Sequence, residues 1–408
     1  MKTVDVAIVG GGPAGLTAAA ELAATLNVVV LERENDAGGI PRHSDHPGYG
    51  IRDMKTFLSG PEYARRLVRN AARAEIRTQT MVTGWADDLT LETTSPVGRE
   101  QIRARAVVLA TGARERPRSA RLIPGDRAAG VYTTGHLQNV VHLKHGRVGR
   151  RAVVVGAELV SYSAVLTLKH AGCHTELMTS EYAAPESYAL FNLAGRTPLL
   201  GTRVATRTRL TRIIGKPTVE AVEVEHLDTG VRRVIACDTV VLTGDWIPDH
   251  ELARLAGLDI DRGTRGPVVD SVLRTSRPGV FAIGNVCHPV DTADIAAIDG
   301  RHVAASVRAY LAGSGAGAAA VRIEVAAPLR WIAPSLLRPG DPAPARYRLL
   351  AWTDEFVRFP TVIARQGGRL IGRKTLPWPA APGRVFRIPS SILDRIDPAN
   401  GPVTVAVG

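Results

Sequence analysis

The sequence predicts an α/β fold: two doubly wound dinucleotide-binding units followed by a small C-terminal β-rich domain. Three observations predict it. Strand, glycine-bearing turn and helix follow one another twice, from residue 4 and again from residue 151. Each time, short strands come next, and an apolar strand closes the series at a Thr-Gly pair, Thr111-Gly112 and Thr243-Gly244. Beyond residue 319 the pattern changes to alternation, the period of half-buried strands.

In the first unit, Val4-Asp5-Val6-Ala7-Ile8-Val9 runs into Gly10-Gly11-Gly12-Pro13-Ala14-Gly15. Gly10 permits a sharp turn, Gly12 lets the backbone approach a pyrophosphate, and Gly15 lets the helix pack closely on the strand. A helix over 14–24 aims its free N–H groups at the phosphates. The strand 27–31 ends at Glu32, a carboxylate placed to accept hydrogen bonds from a ribose diol. A helix over 60–73 and strands over 86–92 and 101–106 lead to the closing strand 106–110.

The second unit repeats the order with a damaged loop. Ala152-Val153-Val154-Val155 runs into Gly156-Ala157-Glu158-Leu159-Val160-Ser161. Glu158 stands where the second glycine belongs, and Ser161 where the third belongs. A carboxylate about 4 Å from a phosphate costs on the order of 1 kcal/mol even when screened, and several when partly buried. The first dinucleotide is therefore expected to be held firmly and a second not tightly bound. After the strand 175–179 comes Glu181 and no arginine pair, so any surviving site would prefer NADH to NADPH. Strands over 219–226 and 231–236 precede the closing strand 239–242. A third apolar strand, 280–283, ends at Gly284-Asn285, and a helix over 292–312 follows. Residues 313–319 read as a flexible linker. The alternating segments 321–325, 347–352, 362–369 and 403–407 form the β-rich appendage, expected to pack against a partner or a second subunit.

The chain has 408 residues, 45% of them hydrophobic and 22% charged, which are globular values. Its formal charge of +12 comes mostly from scattered arginines. No basic stripe is interleaved with aromatics, which argues against nucleic acid. Cys173, Cys237 and Cys287 are isolated, with no spacing for a metal, an iron–sulfur cluster or a redox pair. The apolar N-terminal stretch is broken by Asp5 and the glycine loop, so it reads as a fold strand rather than a signal peptide. With no charge-free apolar run of about 20 residues, no spanning helix is expected, and a cytoplasmic location follows.

Together these motifs resemble the two-dinucleotide-binding-domain FAD oxidoreductases, the pyridine nucleotide-disulfide oxidoreductase superfamily, over about the first 312 residues. The resemblance implies a discontinuous FAD domain, residues 1–118 and 265–312. A second, NAD(P)-type domain, 119–264, is inserted within it, and a C-terminal domain, 320–408, follows the linker. It implies that Gly10, Gly12, Pro13, Ala14 and Gly15 hold the FAD pyrophosphate and Glu32 the adenosine ribose. Gly38 and Gly39 would lie along the cofactor, Val82 would meet adenine through its backbone, and Thr111 and Gly112 would line the cofactor. Gly284 and Asn285 would meet the ribityl-phosphate region, where the family usually has aspartate. The helix beginning at Thr292 and Ala293, with Asp291 or Thr292 as N-cap, would aim its dipole at the flavin ring. More narrowly, 38–43, 112–117 and 285–294 look like the FAD subunits of hydrogen cyanide synthase, opine oxidase and sarcosine-oxidase-like complexes. They also look like flavoproteins encoded beside glycerol-3-phosphate dehydrogenases.

That subgroup implies oxidation of a small amine, amino acid or hydroxy acid by hydride transfer to flavin, beside a second flavoprotein or electron-accepting subunit. His43, His46 and His288 fall on loops the family places near the flavin, where a histidine can take a substrate proton. Arg42 is a candidate ligand for a substrate carboxylate or phosphate. At the positions of the family's cysteine pair stand Pro41 and His46, from which we expect an enzyme that is not a disulfide reductase. Two other readings stay open: an NADH-dependent flavin reductase feeding a partner protein, and a non-catalytic FAD-bound scaffold subunit.

Overall fold

The computed structural model describes residues 1–195, 197, 201–314 and 319–408. Strand β1 (Lys2–Val9), helix α1 (Pro13–Leu22) and strand β2 (Val28–Leu31) make the first βαβ unit, and β3 (Gly98–Leu109) closes it. The second unit contributes β4 (Arg151–Val155), α2 (Leu159–His170) and β5 (Thr239–Leu242). The chain returns with β6 (Val280–Ala282) and α3 (Ala293–Leu311).

The first half of β3 carries an antiparallel meander with Thr90–Ser95 and Met81–Trp85. Its second half lies between β1 and β6 in parallel register, Val9 opposite Leu109 and Leu109 opposite Ala282. These parallel segments are buried, as expected of strands covered on both faces. The second sheet is wholly parallel, with β5 and β4 flanked by Val131–Thr133 on one side and His174–Thr179 and Val204–Ala205 on the other. Because the strands of the first sheet come from 2–109 and 280–282 and those of the second from 131–242, the second unit is inserted in the first. The two crossings run side by side, Ala113–Glu115 paired antiparallel with Trp246–Pro248.

The C-terminal domain packs a five-stranded sheet against a three-stranded one (Leu329–Ala333, Arg348–Thr353, Phe386–Pro389) around Ile323, Leu349, Val362, Phe386 and Val403. The expected single strand over 362–369 is instead a hairpin, Thr361–Gln366 and Arg369–Thr375. Gly367 and Gly368 turn it with φ of 54° and 77°, the geometry of a two-residue hairpin loop. Strands Leu329–Ala333, Phe386–Pro389 and Thr208–Ile214 lacked a clear alternating signal and were not expected. Of the expected linker, Gly315–Ala318 lie outside the described residues.

This domain touches both others. Arg387 Nη2 donates to Asp291 Oδ1 at 2.8 Å, Arg384 lies over the Tyr188 ring at 5.0 Å, and Phe356 meets Tyr182 edge-on at 6.2 Å. Among the described residues, no helix is long and apolar enough to cross a membrane.

Candidate functional site

The first glycine loop is shaped partly by its own packing and partly by something else. A Cβ at Gly10 (φ +108°) would stand 2.4 Å from Ala110 O, and one at Gly15 would stand 2.0 Å from Gly10 O. These two are glycines because the turn and the helix–strand contact leave no room. A Cβ at Gly12 would meet nothing nearer than Gly39 Cα, at 3.9 Å. Gly12 caps α1 without a side-chain hydrogen bond and Pro13 occupies the first turn. The open face of the loop therefore presents helix N–H groups and positive dipole to a phosphate.

The surroundings agree. Gly38 N–H donates to Gly11 O at 2.7 Å, which lays Gly38 and Gly39 along the loop. Glu32 is buried; its Oε2 accepts from Gly11 N–H at 2.8 Å and its Oε1 from Glu34 N–H at 2.9 Å. Each oxygen keeps a lone pair for a ribose hydroxyl. Val82 is buried at a break in strand register between Val82 and Gly84. Thr111 Oγ1 donates to Asp249 O at 2.6 Å, and Arg114 reaches Asp249 Oδ1 at 2.6 Å, so the turn at Gly112 is tied to the returning crossover. Gly284 (φ +72°) packs on Ala14 of α1. Asn285 Nδ2 donates to Asp291 O at 2.9 Å, while its Oδ1 is buried with no hydrogen-bond partner. An orphaned acceptor, an open glycine cradle and a carboxylate with lone pairs left for a ribose fit an FAD.

Thr292 is the N-cap of α3, and its hydroxyl bonds to Asp294 Oδ1. Asp291 Oδ1 accepts from Thr292 N–H and from Arg387, both at 2.8 Å. Asp294 also accepts from Arg52 N–H at 3.1 Å. The helix start that the flavin ring would meet, with Thr292 and Ala293 at its tip, is thus fastened partly by the C-terminal domain.

His43 and His46 belong to one network that joins the two nucleotide-binding domains. Gln138, on the short helix Thr134–Gln138, donates through Nε2 to Ser44 Oγ at 3.3 Å and Ser163 Oγ at 2.8 Å. Its Oε1 is left to accept from His43 Nδ1 at 3.3 Å. His46 Nδ1 donates to Pro47 O at 2.9 Å, so its Nε2 accepts, from Ser163 at 2.8 Å or Ser44 at 3.0 Å. Burial lowers both histidines, His43 to about 4, so both are neutral at pH 7 and keep a basic nitrogen. Arg42 is committed to Asp36, at 2.8 Å to its carbonyl and 3.0 Å to its carboxylate. His288 lies elsewhere: it is buried, and its Nε2 is 2.5 Å from Asp299 Oδ2. Gln138, Ser163 and Asp299 gave no sequence signal, because no local motif marks them.

The second loop is closed by its own side chains. Ser161 Oγ takes the Glu158 N–H at 3.0 Å and bonds to Thr243 Oγ1 at 2.6 Å. The Glu158 carboxyl lies against Gly244, where a Cβ would stand 2.4 Å from its Oε1. Burial, then neighbouring Glu186, pushes Glu158 up to about 8; burial pushes Glu186 up to about 7. Gly383 of the C-terminal domain sits on this pair, a Cβ there meeting Glu186 Cβ at 2.3 Å and Glu158 Cγ at 3.0 Å.

Comparison with known proteins defines the class. Residues 4–300 match the family described as pyridine nucleotide-disulphide oxidoreductase, and the chain belongs to that family of FAD-binding oxidoreductases, some of whose members use NAD(P)H. More particularly, a thioredoxin reductase of Treponema pallidum is 30% identical over 298 residues, covering 69% of this chain and 88% of that one. An opine oxidase subunit of Agrobacterium tumefaciens is 28% identical over 319 residues, covering 69% of this chain but 61% of that protein. The thioredoxin reductase of T. acidophilum superposes with a TM-score of 0.65 at 22% identity, covering 77% of this chain and 100% of that one. It shares the fold.

These matches overturn the expectation that the chain stands apart from the disulfide reductases. The missing cysteine pair bore on dithiol chemistry, whereas kinship is carried by the 298 aligned residues around it. Cys173, Cys237 and Cys287 are free and buried, and burial raises their thiols, the first two to about 11 and about 12.

Proposed function

We propose that this chain is the FAD-binding subunit of a dehydrogenase or oxidase acting on a small amine, amino acid or hydroxy acid, beside a second flavoprotein or electron-accepting subunit. The observation that carries the reading is the asymmetry of the two loops. The first keeps an open glycine and unpaired helix N–H groups. In the second, the N–H at Glu158 is already satisfied by Ser161, and two carboxyl groups lie beneath Gly383. A pyridine nucleotide brought there would hold its pyrophosphate against two buried carboxyl groups, which fill the loop and whose ionisation beside it would be costly. Electrons therefore enter from an organic substrate. The similarity to the opine oxidase protein supports this reading.

FAD, when bound, supplies the hydride acceptor. The chain supplies the cradle at Gly10, Gly12, Gly15, Glu32 and Asn285, and the dipole of α3. His43 and His46 are neutral, each held in one tautomer by a carbonyl-type acceptor at Nδ1. Their Nε2 atoms are the groups that take a substrate proton. Ser163 or Ser44 must release the His46 nitrogen first, whereas His43 is held through Nδ1, which leaves Nε2 free of hydrogen bonds among the described residues.

The test is anaerobic reduction of the purified yellow protein, followed by its visible flavin absorbance. NADH, a dithiol, and a panel of amines, amino acids and hydroxy acids are offered, each alone and with any electron-accepting protein that co-purifies. Bleaching by an amine, amino acid or hydroxy acid is expected. Rapid bleaching by NADH would refute the closed second site, and bleaching by the reducing equivalents of a dithiol alone would refute the substrate class.

A further inference from the structure

A small cleft, with a cavity volume of about 40 Å³, lies between α3 and the C-terminal domain. Ile295, Ile298, Asp299 and His302 line it from one face of the helix, a different face from that at Gly300, which packs on α1. Pro334, Arg346 and Arg348 are among the residues facing them from the C-terminal domain.

At the inner wall is His288, 3% exposed. Its Nε2 is held by Asp299 Oδ2 at 2.5 Å, and Asp299 Oδ2 also accepts Gly284 N–H at 3.1 Å. That leaves His288 Nδ1 buried with no hydrogen-bond partner. An unpaired buried ring nitrogen is costly unless something fills the place before it. Asp299 favours the imidazolium: burial opposes the charge, but the carboxylate outweighs it and the histidine is shifted upward. In an imidazolium Nδ1 is a second donor, and no hydrogen bond from it to the described residues is formed.

At the outer wall, Arg346 makes no ion pair among the described residues. Burial and the neighbouring Arg387 and Arg52 disfavour its charge. Arg348 lies over Trp378 at 5.8 Å, and His302 Nε2 is satisfied by Ser271 O at 2.8 Å. The unmet groups in the cleft are thus the Arg346 guanidinium and His288 Nδ1, with apolar walls at Leu273, Ile295 and Leu350. We propose that this cleft binds a small organic carboxylate, its oxygens taken by the Arg346 guanidinium and His288 Nδ1, and its carbon chain by the apolar wall. Asp299 joins the ligand-bearing histidine to Gly284, so the cleft adjoins the cofactor cradle without being part of it. The proposal goes beyond the oxidase reading and stands whichever substrate reduces the flavin.

The test is isothermal titration of the full-length flavin-loaded protein with sodium acetate and sodium propionate. Sodium chloride at equal ionic strength and methylammonium chloride are the controls. Saturable binding of one carboxylate per chain is expected, tighter for propionate, with neither control binding. Arg346→Ala alters an exposed residue and should weaken binding about tenfold or more. His288→Gln keeps a donor for Asp299 and deletes Nδ1; it should weaken binding similarly while the visible flavin spectrum is retained. Absence of saturable binding, equal binding of chloride, preference for methylammonium, or unchanged affinity in Arg346→Ala would each overturn the site. Should His288→Gln not fold, Arg346→Ala decides alone.

Discussion

Two glycines of the same loop should respond to alanine in opposite ways. At Gly12 the backbone is ordinary, φ −86° and ψ −173°, and an added methyl meets only Gly39 Cα at 3.9 Å. The folded chain gives no steric reason for glycine there. Replacing a glycine N-cap by alanine costs about 1 kcal/mol, and the stiffer unfolded chain offsets about 0.4–1 kcal/mol of it. Gly12→Ala should therefore leave the flavin-free protein within about 1 kcal/mol of the parent. At Gly15 the new Cβ would stand 2.0 Å from Gly10 O, a backbone atom that must move by more than an ångström. Overpacking of that kind costs about 3 kcal/mol, and the helix propensity of alanine returns about 1 kcal/mol. A net loss of about 2 kcal/mol is expected. The assay is urea unfolding of the flavin-stripped variants, paired with FAD titration by fluorescence quenching. Gly12→Ala should lose FAD affinity by about tenfold to a hundredfold, because its methyl displaces phosphate oxygens from charge-assisted hydrogen bonds. A Gly12→Ala protein that binds FAD like the parent, or that loses as much stability as Gly15→Ala, would refute the reasoning.

Unfolded, Glu158 titrates near 4.5; folded, burial and Glu186 raise it to about 8, so the native state holds the proton longer and stability falls as pH rises through that window. Glu158→Gln should flatten a decline on the order of 5 kcal/mol, read from urea midpoints at low and high pH; parallel profiles for the two proteins would count against it. Arg387→Met leaves Asp291, 2% exposed, with a buried charge and no cation. A loss of about 3 kcal/mol is expected, together with faster proteolysis of the C-terminal domain, and an unchanged midpoint would show that the pair fastens nothing. The double substitution Glu158→Gly and Ser161→Gly frees a loop N–H and removes one acid. It should gain NADH-dependent flavin bleaching, and a variant that binds no NADH would show that the carboxylate is not what shuts the loop.

The glycine spacing, Glu32 and the two Thr-Gly closures were enough to place the fold and the loop expected to cradle the cofactor, because a βαβ turn is a local object. Its residues are neighbours in sequence, even where the contact that demands a glycine comes from a distant strand, as at Gly10 against Ala110 O. Periodicity likewise marked β1, β2, β4, β5 and α3. What the sequence did not determine were partnerships across long separations. Gln138 binding His43, Ser163 binding His46, and Arg387 binding Asp291 link residues 95, 117 and 96 positions apart. No period or motif encodes such pairs; they exist only once the inserted domain and the C-terminal domain dock. The cysteine spacing misjudged kinship because it sampled a few side chains of a relationship spread over the whole scaffold. The sequence alone marked the loop around Gly12 as the expected nucleotide seat. Only tertiary packing decided that His288 turns to Asp299 and a cleft, and that the C-terminal domain comes to rest on Glu158, since burial and charge pairing are properties of neighbours in space.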